Sequence, residues 1–304
     1  DKANSLFADG VTHVSRQMSP YPIYMERGQG PSKWDVDGNE YIDYKTGHGS
    51  MILGQAHPAV VKAVQNQMAN GTHLSSGTRF EVEWGDAVTR LVPSVEKLRF
   101  VGSGTESLMM AFKMARVFSG KEKIVKFAGA FHGWGDTAYV TDEKTDRQYG
   151  IPRGTSAAVI NAPPHDLDAL DEILTSNNDI AAVTFQGNDI AQPEFLTGLR
   201  ELTTSHGVLL IFDEVVSGFR WSNAGCQGRF GITPDLSTFA KILAGGLPGG
   251  AVGGRADVIN TVGEGGIRHP GTFNANPLSA AAGATALNIL ENEPIGEIAE
   301  KQAV

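Results

Sequence analysis

The chain has 304 residues, of which 41% are hydrophobic and 19% charged, a composition that builds a globular core and not a disordered chain. A net charge of −9 argues against nucleic acid or an anionic membrane surface as a partner. The one cysteine, Cys226, excludes an intramolecular disulfide and thiolate metal clusters, and reads as a small buried filler in a reducing compartment.

The first elements are short. Residues 1–10 read as a brief helix, and the polar, alternating run Gly10-Val-Thr-His-Val-Ser-Arg16 follows, whose arginine composition alone would leave as a surface charge. Residues 34–43 alternate on either side of Asp37-Gly38-Asn39 and read as a β-hairpin. His57-Pro58 marks a turn before a helix over 59–69, and His73 and Arg79 lie in a polar loop ahead of a helix that starts near Glu81.

Residues 98–101 form an apolar strand, followed by Gly102-Ser-Gly-Thr-Glu-Ser107 and an apolar-periodic helix to Phe118. Strand, glycine turn and helix start make a phosphate cradle, because free backbone N–H groups and the helix dipole both favour an anion there. Ser103 and Glu106 also fit a capping box, which is the plain structural reading. A dinucleotide fold competes, but Gly102-x-Gly104-x-x-Ser107 lacks the third glycine, and the next strand, 123–127, ends without an acidic residue for a ribose. Ala130-Phe131-His132-Gly133 follows that strand, residues 142–155 are charged and loop-like, and 179–185 form another apolar strand ending in Gln186-Gly187-Asn188. A helix is expected over 193–205.

The run Val208, Leu209, Leu210, Ile211, Phe212 is unbroken and apolar, the mark of a strand covered on both faces, and it ends in Asp213 and Glu214. A second strand, 236–240, ends in Lys241, and six glycines follow between Gly245 and Gly254, expected to let a group approach the backbone closely. Ligands of open α/β sheets bind outside the carboxyl ends of the strands, so a carboxylate and an amine share one rim. A lysine in a pocket of low polarity becomes a nucleophile toward carbonyls, and a carboxylate can keep a pyridine nitrogen protonated. Pyridoxal 5′-phosphate (PLP) requires both; an ordinary ion pair between Asp213 and Lys241 is the plain alternative. No Gly-x-Ser-x-Gly elbow or His-Glu-x-x-His helix occurs, which leaves an α/β serine hydrolase or a zincin without support. No apolar run approaches the ~20 residues of a membrane span, and the first residues lack the pattern of a signal peptide, so the expected location is cytoplasmic.

Leu210-Ile-Phe-Asp-Glu-Val-Val-Ser-Gly-Phe-Arg220 and Thr233-Pro-Asp-Leu-Ser-Thr-Phe-Ala-Lys-Ile-Leu-Ala-Gly-Gly-Leu-Pro248 closely resemble the signature of class III aminotransferases, and most of all the glutamate-1-semialdehyde aminomutase branch. The resemblance runs from about Gly10 to the end in one order. It implies an α/β fold of PLP fold type I: a large domain with a mostly parallel sheet between helices, over 71–285, and a smaller domain from the termini, over 1–70 and 286–304. The last of these would be only the start of a C-terminal domain that relatives continue beyond Val304.

The resemblance also implies roles. Lys241 is the Schiff-base lysine and Asp213 the pyridinium partner. Ser103, Gly104 and Thr105 hold the phosphate. Phe131 stacks on the ring where a tyrosine is more usual, His132 stands beside it as an orienting group, and Val215 packs beneath it. Asn188 matches a Gly-Asn whose amide bonds the 3′-oxygen. Thr272, in His269-Pro-Gly-Thr272, matches a threonine that reaches the other subunit's phosphate, which implies a homodimer. Arg16 matches an arginine that holds the substrate carboxylate, and His48 stands near an aminomutase tryptophan, which implies a changed substrate pocket. The clearest departure is Gln186-Gly187-Asn188, where the family has Glu-Pro and a longer connection. The expected reaction is amino transfer from an amino acid, β-amino and γ-type acids included, to a carbonyl acceptor. Intramolecular transfer on glutamate-1-semialdehyde is the alternative, and a nicotinamide-dependent oxidoreductase a distant one; a catalytically dead relative is disfavoured because Lys241 and Asp213 are both retained.

Overall fold

The computed structural model describes residues 2–189 and 192–302; Asp1, Ala303 and Val304, at the two ends of the expected segments, lie outside them. Among the described residues, ten strands form two sheets. The smaller is an antiparallel meander of β1 (Met25–Gln29), β2 (Ser32–Asp35) and β3 (Glu40–Ile42). Its β2–β3 turn is the hairpin read from the sequence, with Trp34 opposite Glu40. Asp35 closes it by accepting the N–H groups of Asp37 and Asn39 and the Tyr41 hydroxyl.

The larger sheet contains β4 (Lys97–Val101), β5 (Lys123–Phe127), β6 (Val159–Ala162), β7 (Ile180–Gln186), β8 (Leu209–Asp213), β9 (Leu236–Ala240) and β10 (Gly250–Gly254), in the order β4-β10-β9-β8-β7-β5-β6. Only β10 runs against its neighbours; the other six share one direction. The unbroken apolar character of β8 has a direct cause. Leu209 and Ile211 pack with Leu108, Ala111 and Met114 of the helix Gly104–Ser119, whereas Leu210 and Phe212 pack with Phe195 and Leu199 of the helix Pro193–Ser205. Both faces are dry, so alternate residues need no polar partner.

A third cluster joins the helices Arg79–Leu91 and Pro277–Asn292 to the β9–β10 side. Trp84 lies at its centre, stacked on Phe100 at 3.9 Å and donating Nε1–H to the Leu243 carbonyl at 2.8 Å. Among the described residues, no helix is long and apolar enough to cross a membrane.

Two expectations change. Residues 142–155 are not a loop throughout but carry the short helices Glu143–Gln148 and Arg153–Ala157. Asp142 starts the first by accepting the N–H groups of Lys144 and Thr145, and buried Asp146 ties the pair together through Thr141 and Ser156. The glycines after Lys241 also include a strand, β10, and what approaches them closely is the protein's own backbone. A Cβ on Gly250 would lie 2.5 Å from the Ser103 carbonyl, and one on Gly254 would lie 2.2 Å from the Asp235 carbonyl.

Candidate active site

The carboxyl ends of β4, β5, β7, β8 and β9 meet at one rim, and there a cavity of about 200 Å³ opens. Ser103, Gly104 and Thr105 enter from the loop after β4, and Phe131, His132 and Gly133 from the loop after β5. Gln186 and Asn188 come from β7, Asp213 and Val215 from β8, and Lys241 follows β9 directly. The topology thus gathers nine of the sequence-marked residues around one space. A more apolar hollow of about 260 Å³, walled by Met51, Leu53, Val60 and Leu247, holds no amine or carboxylate.

Lys241 opens a short 3₁₀ turn, Lys241–Ala244, with φ at +54°, a left-handed conformation that an L side chain adopts at a cost. Burial lowers the pKa of its amine below the ordinary 10.5; Asp213 acts in the opposite sense, and Arg220 adds to the lowering. Burial is the largest of the three, so the amine loses its proton more readily than an exposed lysine does. Asp213 acts on the Lys241 amine through space, and its close partner is instead His132. Its Oδ2 lies 2.7 Å from His132 Nδ1, and its Oδ1 accepts the Val215 N–H at 3.0 Å. Asp213 is 4% exposed and His132 1%, and His132 Nε2 is buried without a partner among the described residues.

Glu214, the second carboxylate of the strand end, turns away. It accepts the N–H groups of Cys226 and Gln227 and the Ser217 hydroxyl, and burial still raises its pKa. It anchors the helix Gly225–Phe230 and leaves the cavity to Asp213.

At the other end Ser103 caps the helix Gly104–Ser119 by accepting the Glu106 N–H at 3.3 Å. The returning Glu106 carboxylate takes the N–H of Gly102 at 2.7 Å, one residue ahead of the capping-box position expected. The first N–H groups of a helix have no intrahelical acceptor, and Gly104 and Thr105, the first residues of this one, line the cavity. The wall is tight. A Cβ on Gly104 would lie 3.0 Å from Val215 and 3.3 Å from Ala240, and one on Gly133 would lie 2.6 Å from the Thr105 hydroxyl. A socket of backbone donors at one end, a carboxylate on the floor and a neutral-leaning amine fit a ligand that carries a phosphate, a ring nitrogen and an aldehyde. PLP is such a ligand.

Three expected residues stand outside the lining. Arg16 is exposed and donates to the Thr12 hydroxyl at 2.9 Å. His48 belongs to a turn in which Thr46, Gly47, His48 and Gly49 all have positive φ. That turn presses on the site: the Gly49 carbonyl accepts from Arg220, and a Cβ on Gly49 would meet the Lys241 side chain at 3.8 Å. Burial lowers the His48 pKa, and His13, Lys45, Arg16 and Lys241 all add in the same sense, so the approach to Lys241 on this side is cationic. Thr272 lines a separate hollow with His73, whose Nε2 lies 2.6 Å from the Thr272 carbonyl. Sequence reasoning missed His13, whose ring centroid is 5.1 Å from that of His48, and Arg220, although both lie inside motifs it quoted.

Residues 13–303 match the family model for aminotransferase class III. A glutamate-1-semialdehyde 2,1-aminomutase from Roseiflexus castenholzii is 41% identical over 319 aligned positions, which cover 99% of this chain and 74% of that protein. The chain belongs to the class III aminotransferases.

Solved structures of this class agree with the fold. An omega-transaminase from Sphaerobacter thermophilus superposes with a TM-score of 0.90 at 36% identity, covering 95% of this chain and 71% of its own. A transaminase with PLP bound gives 0.91 at 32% identity, covering 99% of this chain and 75% of its own. The nicotinamide reading falls with these matches. This class III aminotransferase is a PLP enzyme of fold type I, a transaminase or an aminomutase.

Proposed function

We propose that this class III aminotransferase moves an amino group from an amino acid to a separate carbonyl acceptor, with Lys241 as the amine that holds PLP. The observation that carries the reading is the meeting of Lys241, the Asp213–His132 pair and the Ser103 turn at one cavity. Bound PLP supplies an aldehyde that takes up amines and a ring that draws off the electron pair left when the neighbouring C–H bond breaks.

The chain's own residues do the rest. Lys241 Nζ, held toward its neutral form by burial, takes the proton from the amine-bearing carbon of the substrate. Asp213, fixed by His132 and by the Val215 N–H, keeps the ring nitrogen protonated. Phe131 and Val215 would pack against the ring, while Ser103, Gly104 and Thr105 would hold the phosphate. Asn188 would donate to the phenolic oxygen. Arg16 and His48 meet the substrate, and the enzyme works as a homodimer in which Thr272 serves the partner's phosphate.

Transfer between two molecules is favoured by His48, a neutral-leaning imidazole on the Lys241 side of the site where aminomutases carry a larger tryptophan, and by the likeness to the Sphaerobacter omega-transaminase. Transfer within one molecule is the second reading, favoured by the 41% identity to the Roseiflexus aminomutase. Incubation of the PLP-loaded protein with a panel of amino donors and a 2-oxo acid separates them. Transamination yields a new amino acid from the acceptor and one carbonyl product from the donor in equal amounts. Turnover of glutamate-1-semialdehyde with no acceptor consumed, and none with the donor panel, establishes the second reading.

A further inference from the structure

Gln186 ends β7 in register with Asp213 of β8, and both ends of its amide are engaged. The Phe131 N–H points at Gln186 Oε1 from 3.0 Å. An N–H meets only an acceptor, so this backbone contact fixes which end of the amide is oxygen. The other end, Nε2, then donates to Asn188 Oδ1 at 2.9 Å. A donor again needs an acceptor, so Asn188 has its oxygen committed to Gln186 and its NH₂ group turned the other way. Asn188 lines the cavity, and its Nδ2 bonds no described residue.

We propose that Gln186 is a positioning residue: through this ordered relay it turns the Asn188 NH₂ group into the cavity as a fixed donor to the phenolic oxygen of bound PLP. The proposal rests on the PLP reading of the site given above. A glutamate at 186 would satisfy Phe131 equally well, but it offers acceptors alone. It would draw the Asn188 NH₂ toward itself, turn Oδ1 into the cavity, and add a negative charge beside Asp213. The neutral amide therefore sets the polarity of this corner of the site, and sets it through a neighbour that it does not resemble in role.

The test is a pH titration of the visible absorbance of PLP-loaded protein, with the PLP dissociation constant measured alongside. Parent, Gln186→Met, Asn188→Ala and the double variant are compared. A donor to the phenolic oxygen favours its charged form, so losing the donor raises the midpoint. Asn188→Ala is expected to raise it by about one pH unit and to weaken PLP about tenfold. Gln186→Met, which frees Asn188 to turn, is expected to raise it by about half a unit, and the double variant to titrate no higher than Asn188→Ala, because the effect passes through Asn188. Gln186→Glu keeps the Phe131 contact and is expected to exceed Gln186→Met; if the methionine variant misfolds, Gln186→Leu takes its place with the same expected shift and the same dependence on Asn188. A Gln186 variant with the parent's midpoint overturns the proposal, and so does a Gln186→Met shift that persists in full without Asn188. A parent with no PLP band overturns the reading beneath it as well, which separates the two failures.

Discussion

Lys241 Nζ sits under opposed influences: burial and Arg220 favour the neutral amine, and Asp213 favours the ammonium. Removing Arg220 removes a cation, so the amine pKa should climb. Uptake of PLP by the cofactor-free protein needs the neutral amine, and therefore speeds up as pH rises toward that pKa. Arg220→Gln should move the half-maximal pH of uptake upward by about half to one unit. Stopped-flow absorbance over a pH series measures this, and an unmoved or lowered midpoint contradicts it. The amine and its carboxylate were legible in the sequence because each closes an apolar strand, and strand ends converge in an open sheet. The separate fates of Asp213 and Glu214 were not. Glu214 is claimed by backbone donors of the helix Gly225–Phe230, an element too short and too glycine-rich to announce itself in the pattern.

Two glycines carry predictions at the scale of elements. Gly104 lets the helix Gly104–Ser119 start against Val215 and Ala240, so Gly104→Ala should displace the phosphate socket and weaken PLP about tenfold or more. Equilibrium titration of cofactor fluorescence reads this directly. Gly283 lies in the helix Pro277–Asn292, where a Cβ would come within 2.5 Å of the Leu243 carbonyl and press on the Trp84 indole. An alanine ordinarily favours a helix by ~1 kcal/mol, but this overlap costs more, and Gly283→Ala should lower stability by about 1–2 kcal/mol in thermal melts. The strands buried on both faces were legible because continuous apolar runs of that length have few other homes. Strand β10 was not, since glycine weakens a strand and Gly250 and Gly254 are explained only by the backbones packed against them. The relay through Gln186 was illegible for a similar reason: it joins Phe131 and Asn188, which only the sheet order brings together.

At the scale of the molecule, Thr272 lies apart from the cavity of its own chain. Its proposed duty toward a phosphate therefore falls to a second copy. Mixing Lys241→Ala protein with Thr272→Val protein should form mixed dimers in which one site has both defects and the other has none. Random mixing then restores about a quarter of the parent's sites, and refolding the two variants together before assay measures it. A monomeric enzyme would show no recovery. The central claim, that Lys241 is the amine that holds PLP, is tested most directly by borohydride reduction of the loaded protein and mass analysis of its peptides. The label should fall on the peptide containing Lys241, and Lys241→Ala should show neither the label nor the absorbance band of a lysine-linked cofactor. A label on another amine, such as the buried Lys126 that donates to the Ala138 carbonyl, or an unchanged spectrum in Lys241→Ala, would contradict the account.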